Sequence, residues 1–118
     1  MRKITVFMVC CFLIAVCSVA YAHPPSDIII SYDPATRILH ATIMHNVSNP
    51  LNHYIKKVDI GLNGKEIIEQ EISRQDNNTS QTVSYLIPDA KAGDKLSVEA
   101  YCSISGKLKK EIEVKGNS

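Results

Sequence analysis

The chain has 118 residues, with 13 lysines and arginines against 12 aspartates and glutamates, four histidines, four cysteines and no tryptophan. That length allows one domain with a single modest core. The near balance of charge, with no basic stripe, no Lys/Arg run and no series of stacking aromatics, excludes nucleic acid as a partner.

The first segment reads as a secretory leader. Arg2 and Lys3 form a positive start, Ile4 to Val16 is almost uninterrupted apolar sequence, and Ala20-Tyr21-Ala22 supplies the small residues of a signal-peptidase site. The apolar core is shorter than the ~20 residues of a bilayer span. The reading is therefore a signal peptide over residues 1–22, a secreted or periplasmic protein, and no membrane attachment after cleavage. Ile14-Ala15-Val16-Cys17 loosely resembles a lipobox, but Val16 is too bulky for the residue before a lipidated cysteine. A cut after Ala22 removes Cys10, Cys11 and Cys17 and makes His23 the first residue of a 96-residue chain. Losing Arg2 and Lys3 leaves 11 basic against 12 acidic residues, a net of −1. Cys102 then stands alone and cannot form an internal disulfide.

Residues 23–118 read as one all-β domain. Apolar and β-branched runs of strand length recur between turn signals, with no sustained helical period. Strands are predicted at Ile28–Tyr32, Arg37–His45, Tyr54–Leu62, Glu66–Ser73, Gln81–Ile87, Lys95–Ser103 and Leu108–Val114. Asp33-Pro34-Ala35-Thr36 makes the first turn, Asn63-Gly64 signals a type I′ hairpin, and Ser105-Gly106 closes the last one. Gln75–Thr79 and Pro88–Asp94 read as polar loops. About seven antiparallel strands in this length predict an immunoglobulin-like β-sandwich.

The alternation also says where the chemistry points. Leu96, Val98, Ala100 and Cys102 share one face of their strand, and Leu39, Ala41, Ile43 and His45 share one face of theirs. Cys102 and His45 thus end core-facing rows, where a strand leaves the sandwich. His53 opens the next strand after the loop Asn46–Asn52, which returns toward the same end. His40 lies opposite His45 and has no part in such a site. Thiolate and imidazole are the side chains that hold late first-row transition metals. A lone cysteine in core phase also serves as a small buried hydrophobe, so both readings stay open at this point.

Several segments carry a resemblance. His53-Tyr54-Ile55-Lys56-Lys57-Val58-Asp59-Ile60 is similar to H-Y-I-x-W-I-x-L of the superoxide reductase (desulfoferrodoxin, neelaredoxin) iron domain. Ala92-Gly93-Asp94-Lys95-Leu96 followed by Ala100-Tyr101-Cys102-Ser103-Ile104-Ser105-Gly106 resembles that family's closing A-G-D-K-(x)-Y-C-N-x-H-G. His23-Pro24-Pro25 resembles the H-x-P at its first ligand. The motifs span most of residues 23–118 in family order, and the family fold is an immunoglobulin-like sandwich.

The resemblance implies mononuclear non-haem iron, held by four histidines in a plane and one axial cysteine, with the sixth position open for superoxide. It makes Cys102 the axial ligand and His53 and His23 equatorial ones, with His45 substituting from the preceding strand. The family's histidine three residues after the cysteine is Ser105 here, and its histidine-proline pair is Asn49-Pro50. Four side chains therefore remain, a set that also suits tetrahedral or tetragonal zinc or copper.

Two non-enzymatic readings stand beside the reductase. After cleavage the α-amino group and imidazole of His23 can chelate copper together, in a periplasmic copper-binding protein. Asn63-Gly64-Lys65-Glu66 with Ala90–Lys95 also resembles the sulfur-oxidation carrier subunit Z family, a metal-free sandwich that assists a partner chain. A protein partner or a second copy of the chain is compatible with either. No Ser-His-acid ordering, paired carboxylate motif or phosphate loop points to a hydrolase.

Overall fold

The computed structural model describes residues 23–116, and the leader read over residues 1–22 lies outside them. The strands are β1 (Asp27–Asp33), β2 (Ile38–Met44), β3 (Ile55–Leu62), β4 (Lys65–Glu71), β5 (Ser80–Leu86), β6 (Lys95–Cys102) and β7 (Lys107–Glu113). They pair antiparallel in two sheets, β1-β2-β5 and β4-β3-β6-β7. No helix occurs among the described residues, so none there is long and apolar enough to cross a membrane. The all-β sandwich expected from the alternation is the fold, and every strand lies within two residues of its predicted span.

Turn chemistry sets the hairpins. Asn63 and Gly64 have φ of 51° and 85°, the two positive values that a type I′ turn requires. The Asn63 side chain then ties this hairpin to the β5–β6 loop: its Oδ1 accepts from Lys95 N at 2.9 Å and its Nδ2 donates to Asp94 Oδ1 at 3.1 Å. In the β1–β2 turn Asp33 Oδ1 accepts from Ala35 N at 2.9 Å, and Arg37 takes a φ of 63° where a glycine would be unstrained. The edge strands β4 and β7 are mostly exposed and rich in lysine and glutamate, which discourages edge-to-edge pairing.

The inward rows form the core. Leu39, Ala41 and Ile43 of β2, Val58 and Ile60 of β3, and Leu96, Val98 and Ala100 of β6 are all fully buried. In the β3–β6 register Val58 faces Ala100 and Ile60 faces Val98. A bulge between Ile55 and Lys57 lets Ile55, three residues before Val58, face inward as well and sit opposite Cys102. Bulges re-aim the chain they interrupt. This one begins two residues after His53, at the end of the sandwich where the candidate ligands collect.

Candidate metal centre

His45 lies just beyond β2 and is held there by the backbone: its N donates to Thr79 O at 2.9 Å, and Val47 N donates to Asn78 O at 2.8 Å. The side chain continues the Leu39-Ala41-Ile43 row into the interior and is 1% exposed. Its Nδ1 is 2.8 Å from Oε1 of Gln75, a residue that is itself fully buried. Gln75 Nε2 donates to His45 O at 2.8 Å and to Asn77 O at 2.9 Å, so both its amide hydrogens are used. Oε1 is therefore the acceptor, and His45 Nδ1 must carry the ring proton. In the neutral tautomer the lone pair is then on Nε2, which is buried and has no hydrogen-bond partner. A buried polar atom left unsatisfied costs about 1–3 kcal/mol.

Gln75 lies in the polar loop that the sequence indicates between β4 and β5, but its side chain is buried rather than solvated. Its amide fixes the tautomer of the candidate ligand His45. Gln75→Leu is expected to weaken metal binding by about 10- to 100-fold while leaving every ligand in place. Competition titration of the variant checks this, and an unchanged affinity would show that the amide does not govern the ring.

His53 reaches the same end through a compact turn. Leu51 N donates to Asn49 Oδ1 at 3.0 Å, and His53 N donates to Asn49 O at 3.1 Å. Two bonds then clamp the start of β3 to the end of β6: Tyr54 N to Ser103 Oγ at 3.1 Å, and Ser103 N to Tyr54 O at 2.8 Å. That clamp brings His53 Nε2 to 3.2 Å from Cys102 Sγ. The thiol is 2% exposed, and its sulfur also accepts a weak bond from Ile104 N at 3.5 Å. Hydrogen bonds to sulfur are among the means by which a protein tunes a bound metal.

His23 arrives from the opposite direction. Ser26 N donates to Met44 O at 2.8 Å, fixing the segment beside the end of β2. Pro24 packs over the β6–β7 turn, where a Cβ on Gly106 would lie 3.0 Å from Pro24 Cβ and 3.1 Å from its Cα and N. Gly106, at a φ of 91°, is the residue that permits this approach. The His23 ring centroid is 5.5 Å from that of His45 and 5.3 Å from that of His53, and the latter two are 4.9 Å apart.

Ligating nitrogens of His23, His45 and His53 lie within 4.8 Å of one another. Each would move by less than about 1 Å to reach the 2.0–2.1 Å that imidazole takes on a metal such as zinc. Cys102 is joined to the group through His53 rather than touching all three rings. His40 is exposed on the outward face, with Nδ1 2.8 Å from Ser84 Oγ. Ser105 is exposed in the β6–β7 turn and brings no nitrogen donor.

Burial holds the His53 imidazole below its ordinary value, and repulsion from His45 and His23 adds to this. The ring is accordingly neutral at neutral pH, the form that binds metal. For the metal-free chain the sign follows directly. Above about pH 6.5, the ordinary imidazole value, His53 is neutral folded or unfolded and costs nothing. As the pH falls from there through the lower folded value, the unfolded chain binds the proton first and stability is lost. Urea midpoints of the metal-free protein are expected to drop across that window, and to drop less in His53→Ala.

A second polar group, absent from the sequence reading, lies on the outward face of the four-stranded sheet. Asp59 pairs in register with Glu69 on one side and Glu99 on the other. Lys57 Nζ lies 3.6 Å from both Asp59 Oδ2 and Glu69 Oε1, and the Asp59 charge pushes the Glu66 carboxyl upward. This cluster already contains its own cation.

No family model, curated protein or solved structure matches the chain. The functional reading therefore rests on the residues themselves.

Proposed function

We propose that this chain is an exported mononuclear metal protein of the superoxide reductase type. In this reading His23, His45, His53 and the Cys102 thiolate hold iron, and superoxide is the small-molecule substrate. One observation carries it: His45 Nε2 is buried, unpartnered, and left with its lone pair by the bonds of Gln75. An atom in that state can coordinate a metal ion. Two more imidazoles nearby, one of them with Nε2 3.2 Å from the Cys102 sulfur, make a donor set of borderline nitrogen and soft sulfur, suited to a late first-row metal.

Iron, when bound, would supply the one-electron chemistry. The chain's own part is to keep the His53 ring neutral, to hold the sulfur under the Ile104 amide, and to leave one side accessible. An open cleft of about 230 Å³ lined by His23, Pro24, Ser26 and Asn46 supports access from the His23 side. A second reading, copper or zinc on the same four donors in a non-catalytic binding protein, is favoured by Ser105. The turn after Cys102 offers no fifth side-chain ligand, and four nitrogen and sulfur donors suit a tetrahedral ion.

Elemental analysis of protein exported by its own leader, with Cys102→Ala beside it, tests both. Near-stoichiometric iron with a sulfur-to-iron absorption band lost in Cys102→Ala, together with superoxide consumption, is the expected result. Copper or zinc without superoxide consumption would establish the binding protein instead. Absence of all three metals would sink the metal reading and leave a metal-free partner protein, as in the carrier subunit Z resemblance.

A further inference from the structure

We propose that the α-amino nitrogen of His23, freed when residues 1–22 are removed, is a donor to the same metal ion, so that the centre reaches full affinity only in the processed chain. This rests on the reading of the histidine and cysteine cluster as a metal centre, and adds to it a means by which export controls loading.

The first support is a coincidence of position. Ala20-Tyr21-Ala22 puts the cleavage point directly before a residue whose ring already belongs to the cluster. His23 is exposed, whereas His45 is buried and His53 is half-buried. The member of the cluster that faces outward is thus the one whose main chain would be cut.

The second support is where that main chain runs. Pro24 N, bonded to the His23 carbonyl carbon, lies 3.1 Å from the Cβ position of Gly106. Gly106 O in turn accepts from Cys102 N at 2.9 Å. Pro24 therefore lies against the turn that follows the thiol, while the ring of the preceding His23 meets His45 and His53. Two prolines follow it, each with φ fixed by its ring, and Pro25 is buried. The segment is anchored at the donor cluster, and a donor held in place beforehand loses little freedom when it binds.

The third support is the nitrogen itself. In the unprocessed chain it is a peptide nitrogen whose lone pair is delocalised into the carbonyl of Ala22. After cleavage it is a primary amine with an ordinary pKa of about 7.7–8.0. Amine and Nδ1 of one histidine are joined through Cα, Cβ and Cγ, so with the metal they close a six-membered chelate ring. Near neutral pH the ammonium gives one proton to solvent as the nitrogen–metal bond forms, and no other bond changes.

Two forms of the full chain test this, one starting at His23 and one carrying Gly-Ser-Gly-Ser ahead of it, each titrated anaerobically with Co(II) alone. Metal-free melts of the two are expected to coincide, because His23 is exposed. The form starting at His23 should bind Co(II) about 100-fold or more tightly than the extended form, since losing a ligand exceeds the loss of an outer partner. It should release an additional proton and show different ligand-field bands, with a sulfur-to-cobalt band in both forms. Equal affinity and identical ligand-field bands would overturn the inference and leave the centre standing. No Co(II) binding by either form would overturn the metal centre itself. Mass spectrometry of the exported protein should find His23 first, and any other start would overturn control by export.

Discussion

Alanine in place of His45 is expected to abolish tight metal binding, whereas alanine in place of His40 leaves it unchanged. The two histidines lie on one run of chain but on opposite faces of it. His40 is exposed and spends its Nδ1 on Ser84, at 2.8 Å. His45 is buried, with Nδ1 committed to Gln75 and Nε2 without a partner. In the proposed centre the ring is a ligand, so the loss should exceed the roughly 100-fold that marks the upper end for outer-shell changes. Removing the ring also takes away the acceptor-bound N–H that satisfies Gln75 Oε1. The stability of metal-free His45→Ala is a balance of opposed effects. Loss of the unsatisfied Nε2 favours the variant, while the cavity and the orphaned Gln75 oxygen disfavour it. Metal titration is therefore the deciding measurement. Full affinity in His45→Ala would remove the observation on which the proposed function stands.

Strand phase was enough to find much of this group. Period-two alternation put Cys102 and His45 at the ends of inward rows, and both are buried there. His53 opens the strand after the loop Asn46–Asn52, which returns the chain toward the end where β2 finishes. That argument brought His53 to the side of Cys102, now 3.2 Å away. Asn63-Gly64 carried its turn type in two residues, since both need positive φ.

Gln75 was not legible for the opposite reason. It sits among Ser73, Arg74, Asp76, Asn77 and Asn78, a composition that reads as solvated loop. Its burial comes from partners distant in sequence, Pro50 O and His45, which only the closed fold supplies. Nor could the Glu69-Asp59-Glu99 ladder be read. Like charges directly opposite one another are unfavourable, and the pairing depends on a register that shifts at the bulge between Ile60 and Gly61. Local patterns specify elements, while side-chain partners across the sandwich depend on register and on loops folding inward.

The largest effect on stability is expected at the other end of the same row. Leu39 is fully buried between Tyr32 and Tyr85 in the β1-β2-β5 register. Leu39→Ala should cost about 2–5 kcal/mol, the range for large-to-small changes in a packed core. Domains of this kind are stable by only about 5–15 kcal/mol, so the variant would lose a large share of its stability. Among the described residues there is no disulfide to compensate. Metal binding would: a ligand at 100 times its Kd adds about 2.7 kcal/mol to the folded state. Leu39 and His45 are six positions apart along the row, about 20 Å at strand rise. Changes that distant add independently, to within about 0.5 kcal/mol. The shift in denaturation free energy caused by Leu39→Ala should therefore be the same with and without metal. Ile55→Ala offers the contrast, because Ile55 pairs directly with Cys102. Its cost should differ between the two conditions, since contacting sites couple by about 0.5–3 kcal/mol. Urea titrations of both variants, metal-free and metal-loaded, decide the matter. Strong coupling at Leu39, or none at Ile55, would mean that the ion is not held at the Cys102 end of the sandwich.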